Sequence, residues 1–161
     1  HSDVIPVAEG VTFISTANIG SQFTSTRRMD AAFLDRWTQI ELKPLDKDHE
    51  YELLKDRFPK VDDAVVIAVA EIADTIRQNV SSDQPRVNRI VSPRQSLDMV
   101  ETVYDLECTI GEAAQMVLYP FYSADGGLNS ERAFIETVVE RHKNLGITGD
   151  TLFSPATDAT S

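Results

Sequence analysis

Residues 61 to 80 carry Val61, Val65, Val69, Ile72, Ile76 and Val80 in a run with no proline or glycine. Steps of three and four positions line all six along one side of a helix of 3.6 residues per turn. The spacing predicts an amphipathic helix. A stripe of this kind is stable only when it packs on other elements, so the rest of the chain has to supply a core around it.

Helical partners follow on both sides. Residues 46 to 58, "DKDHEYELLKDRF", open with acids, which suit the positive end of a helix, and Pro59 stops them. Residues 92 to 107, "SPRQSLDMVETVYDLE", are expected to turn Leu97, Val100, Val103 and Tyr104 inward. A polar connection over residues 81 to 90 leads into them. A shorter helix is expected after Gly111, ending at Pro120, and a loop over 123 to 130. The last helix is expected over 130 to 146, with Gly146 at its C-terminal end. The expected core joins Val65, Val69, Ile72, Ile76, Leu97, Val100, Val103 and Phe134.

The first forty residues read differently. "VTFIS", residues 11 to 15, is β-branched and aromatic without polar alternation, which suits a strand covered on both faces. A Gly/Ser/Thr loop spans residues 20 to 28, and residues 29 to 36 have apolar positions at helical spacing. "WTQIEL", residues 37 to 42, alternates as a second strand and ends before Pro44. The expected organisation is therefore residues 1–43 as a strand–helix–strand piece, 44–146 as a helical bundle and 147–161 as a small, polar tail, with a hinge near Lys43-Pro44-Leu45.

Composition narrows the function. The net charge of −11 argues against a chain whose main task is neutralising a phosphate backbone, so nucleic acid is not the expected partner. The longest apolar run, residues 64 to 70, is far too short to span a bilayer, and no basic-then-apolar leader opens the chain. A single cysteine, Cys108, fits a reducing compartment, and the expected location is cytoplasmic. The start at His1-Ser2, without methionine, suggests either that something was removed or that the chain is an excerpt of a longer polypeptide, and His1-Ser2 could itself be a cloning remnant.

Three places carry chemistry. Asn18 stands just past the carboxyl end of the first expected strand, where open α/β sheets bind ligands; its amide suits orienting a water or phosphate oxygen, and equally suits capping the next loop. Arg27, Arg28 and Arg36 form a local basic cluster, in which Asp35 and Arg36 could also be a surface ion pair. Ser92-Pro93-Arg94 combines a good N-cap, proline at the first helical position and arginine in the first turn. A helix N-terminus favours anions, and an arginine anchored there points fixed donors at the same place.

Taken together, "FISTANIG", "TRRMDAAFLDRW" and "SPR" resemble AAA+ ATPases, most closely the MoxR-type, chelatase-like branch, over residues 4 to about 120. The resemblance implies the C-terminal part of an α/β P-loop NTPase: a few core strands followed by an all-helical lid. It matches Asn18 to the first sensor, which positions the attacking water, and Arg36 to the arginine finger, with Arg28 as a second such arginine. Arg94 matches the second sensor, which contacts nucleotide. Catalysis of phosphoryl transfer is mostly positioning and charge stabilisation, which is what such groups supply.

One departure is large. No Gly-Lys dipeptide occurs, so there is no phosphate loop, and no paired acids follow an apolar strand. The resemblance thus implies ATP and Mg²⁺ as cofactors, with the metal ligands upstream and none assigned in this chain. It further implies a hexameric ring acting on a protein partner, or inserting a metal or cofactor, and a fragment inactive alone. The alternative from the residues themselves is a free-standing acidic helical module that binds a partner without nucleotide.

Overall fold

The computed structural model describes residues 6–17 and 31–146. The chain divides into two units, 1–41 and 42–161. In the first, the described regular structure is one short helix, α1 (Ala31–Leu34). In the second, the described helices are α2 (Lys47–Arg57), α3 (Asp63–Val80), α4 (Pro93–Asp105), α5 (Ile110–Val117) and α6 (Glu131–Glu140). Two 3₁₀ turns, Tyr119–Phe121 and Gly127–Asn129, connect α5 to α6.

The expected α/β architecture is overturned: among the described residues there is no strand and no sheet. The one β-type pairing is an isolated bridge between Thr109 and Gly146, inside the helical unit. The stretches expected as strands, 11–15 and 37–42, have no ladder partner among the described residues. Their side chains stand in the open, with Ile14 91% exposed and Leu42 86%. The physical reason is that a strand satisfies its backbone groups only through a neighbour, whereas a helix satisfies them within its own segment. The helix expected over 29–36 is confined, in its described part, to Ala31–Leu34, and Arg36 and Trp37 lie in the turn after it.

The second unit has a continuous apolar core. Val65, Val69, Ile72 and Ile76 of α3 are buried, with Met99, Val100 and Val103 of α4, Ile110 of α5 and Ile135 of α6. Each large aliphatic side chain removed from water in this way contributes about 1.5–3 kcal/mol. Leu97 and Phe134 are half-buried at the margin of this core. Tyr104, expected inside, is 40% exposed. The buried row of α4 runs Ser96, Met99, Val100, Val103, so it is turned by one position from the expected one.

The helix starts are set by side-chain caps. Asp46 and Asp62 cap α2 and α3, accepting from the backbone N–H of His49 at 3.0 Å and of Ala64 at 2.8 Å. The bond and ion pair to His49 hold the Asp46 carboxyl below its ordinary range and raise the His49 imidazole above its own. Helix α5 begins one residue before Gly111 because Thr109 and Glu112 form a reciprocal capping box. Its first N–H groups are met by the segment after α6: Ile110 donates to Leu145 O at 2.7 Å and Gly111 to Lys143 O at 3.0 Å. Helix α6 stops at Glu140, six residues short of the expected end, and Gly146 serves this docking instead. Its φ of +138° and the close approach of Cys108 O leave no room for a Cβ.

Candidate functional site

The start of α4 is the best-defined part of the expected site. Ser92 Oγ accepts from Gln95 N at 3.3 Å, and Gln95 Oε1 accepts from Ser92 N at 3.0 Å. Pro93 has no N–H to satisfy, and Ser96 N donates to Ser92 O at 3.2 Å. The capping box therefore uses up most of the first-turn donors. What remains outward is Arg94, exposed and with no carboxylate in ion-pair range among the described residues. A guanidinium in this setting offers a planar fork of donors suited to a phosphate or carboxylate.

Beneath this helix start lies a buried ion pair that the sequence reading missed. Glu50 of α2 is fully buried, and Arg77 of α3 is 6% exposed. Arg77 Nη2 donates to Glu50 Oε1 at 3.0 Å, and Nη1 pairs with Glu50 Oε2. The remaining donors are also used: Nη1 reaches Leu45 O at 3.0 Å, and Nε reaches Val91 O at 2.8 Å. Taking two charges out of water is costly, and this geometry offsets the cost by pairing both and filling the guanidinium's other donors. The result ties the approach to α2, the two helices α2 and α3, and the residue just before the Ser92 cap into one rigid knot.

Val66, Ala70, Ala73 and Arg77 form a second row of buried positions beside the valine–isoleucine stripe. Nothing in the local pattern marks Arg77 as the partner of Glu50, 27 positions away.

Two further polar atoms near the α4 start, Gln95 Nε2 and Ser96 Oγ, are buried without a hydrogen-bond partner. An open groove of about 500 Å³ lies elsewhere, lined by Gln115, Tyr119, Pro120, Arg132 and Glu136, and includes none of the expected site residues.

The expected residues are not gathered in one place. Asn18, Arg27 and Arg28 lie outside the described residues. Arg36 belongs to the first unit and Arg94 to the second. Arg36 is exposed, and its guanidinium makes no ion pair with Asp35 or any other described residue. Among the described residues no group of three or more His, Cys, Asp or Glu is arranged to hold a metal ion. No helix among them is long and apolar enough to cross a membrane. Among the described residues, Arg94 offers donors suited to contact with a phosphate.

No protein-family model, curated protein or solved structure matches this chain.

Proposed function

We propose that residues 44–146 serve as the helical lid of an AAA+ ATPase of the MoxR-type, chelatase-like branch. The observation that carries this reading is Arg94: an exposed arginine without an acidic partner, on the first turn of a capped helix, in a unit that is otherwise all-helical. In this reading Arg94 contacts the nucleotide held by its own subunit. Arg36 acts in trans as the arginine finger, with Arg28 as a second arginine, and Asn18 orients the attacking water. ATP and Mg²⁺ are the cofactors, and the phosphate loop and metal-binding acids come from outside this chain. The complete protein assembles as a cytoplasmic, hexameric ring and uses ATP to remodel a protein partner or insert a metal or cofactor. The 161-residue chain alone does not turn over ATP.

The Glu50–Arg77 knot suits a lid that moves as one body, because it fixes the approach at Leu45 to the residue preceding the Arg94 helix. The test uses the polypeptide that joins this chain to a phosphate loop. Arg36→Ala is expected to lower ATP turnover by about 10³-fold or more while leaving nucleotide binding nearly intact. Arg94→Ala is expected to weaken both. Mixing Arg36→Ala subunits with phosphate-loop mutants should restore turnover by complementation. Wild-type turnover in both arginine variants, or a coding sequence with no GxxxxGK[ST] upstream of His1, would remove the reading.

A further inference from the structure

The surface beside the loop over residues 81 to 91 differs from the rest of this acidic chain. Asn79 Oδ1 organises the loop by accepting from Arg86 N at 2.9 Å and from Val87 N at 3.3 Å. Val87 is fully buried, and Arg86 and Arg89 on either side of it point outward. Each guanidinium lies over an aromatic ring: Arg86 is 5.3 Å from the Phe134 centroid and Arg89 is 4.8 Å from that of Phe121. Neither makes an ion pair among the described residues, although the chain has 26 acidic residues. Glu131 and Asp125 are engaged in other bonds. Glu131 accepts from Asn88 N at 3.1 Å and Ser123 N at 3.3 Å, and Asp125 accepts from Ser123 Oγ at 3.1 Å.

An apolar anchor belongs to the same surface. Arg86 Nη2 donates to Leu128 O at 3.3 Å, and the Leu128 side chain is 90% exposed. Gly126 and Gly127, both with positive φ, hold this turn in a conformation that other residues adopt only with strain. Phe121 is 45% exposed beside Arg89.

We propose that the face formed by Arg86, Arg89, Phe121 and Leu128 docks an acidic segment of a protein partner, one that alternates carboxylates with apolar side chains. The ring contacts restrict both guanidinium groups, which lowers the entropy lost on binding, and the donors other than the Arg86 Nη2 bond to Leu128 O are left for a carboxylate. Leu128 supplies the apolar contact. Charge selects a short acidic segment over a nucleic acid. A local cationic face attracts a nearby carboxylate within about 8 Å at physiological salt. A long polyanion would also meet the field of the −11 chain. This inference does not rest on the ATPase reading.

The probe is a fluorescently labelled synthetic peptide alternating glutamate with leucine, titrated against the 161-residue chain. Binding is expected, weakening as salt rises, and the same peptide with glutamine for glutamate should not bind. The double variant Arg86→Glu, Arg89→Glu should lose about tenfold or more in affinity. Leu128→Ser should lose several-fold at an unchanged melting temperature, since its side chain packs on almost nothing. The proposal is overturned by any of four results. These are no binding of the glutamate–leucine peptide, undiminished binding in both variants, tighter binding of a single-stranded oligonucleotide, or a self-association that the double variant abolishes.

Discussion

Residues 6–41 and residues 42–146 have comparable shares of apolar side chains but opposite fates for them. No described residue of the first segment is buried, and Phe13, Ile14 and Ile40 stand largely exposed. The second segment buries side chains from all five of its described helices around one core. The difference lies in where each kind of element finds its hydrogen bonds. The helices close their own ladders and need neighbours only for their apolar faces. The two β-type stretches need partners for the backbone as well, and the described residues offer none.

The largest effect should come from the buried pair. Arg77→Ala leaves Glu50 buried without its partner and should destabilise the helical unit by about 3–5 kcal/mol. Loss of far-UV helical signal on heating measures this directly. An unfolding temperature unchanged by Arg77→Ala would show that the pair is not part of what holds the helices together.

Next is a matched truncation. Ile76→Ala empties a fully buried position and should cost about 2–5 kcal/mol in chemical denaturation. Ile40→Ala, at a side chain 81% exposed, should stay within about 0.5 kcal/mol. Similar costs at the two positions would mean that the first unit has a core of its own, and would erase the contrast.

Smaller effects test how the helical unit closes. A Cβ on Gly146 would fall 2.4 Å from Cys108 O, so Gly146→Ala should cost about 1–3 kcal/mol. It should also speed amide exchange at Ile110 and Gly111, whose acceptors belong to that segment. Smallest is a gain. Glu107 has φ of +49° at the end of α4, where Cys108 N donates to Val103 O across the turn. Glu107→Gly should relieve about 1 kcal/mol of backbone strain and raise the melting temperature. A lower melting temperature would indicate that the Glu107 side chain contributes a contact that outweighs its conformation.

The contrast also explains what could be read in advance. The helices were legible because their signals are local: apolar spacing of three and four, acids opening residues 46 to 58, and the cap at Ser92. Ser96 hid the true inner row of α4, since a polar residue at a buried position turned the expected face toward Tyr104. The Glu50–Arg77 pair joins positions 27 apart, and no local pattern announces such a partner. The strands failed for the same reason in reverse: their composition was read as β-forming, but a strand exists only with a neighbour that composition does not reveal. Of the candidate site, the α4 start with Arg94 could be read from three consecutive residues, whereas its foundation on Arg77 could not.

Amide hydrogen exchange on the dilute, monomeric chain tests this account most directly. The backbone of α3 over residues 65–76 should be strongly protected, because its bonds are buried under the core. Amides of residues 11–15 should exchange much faster, since no ladder partner among the described residues holds them. Equal protection in the two stretches would mean that the first segment has found a complete sheet, and would contradict the division of the chain into a self-sufficient helical unit and a segment without a core.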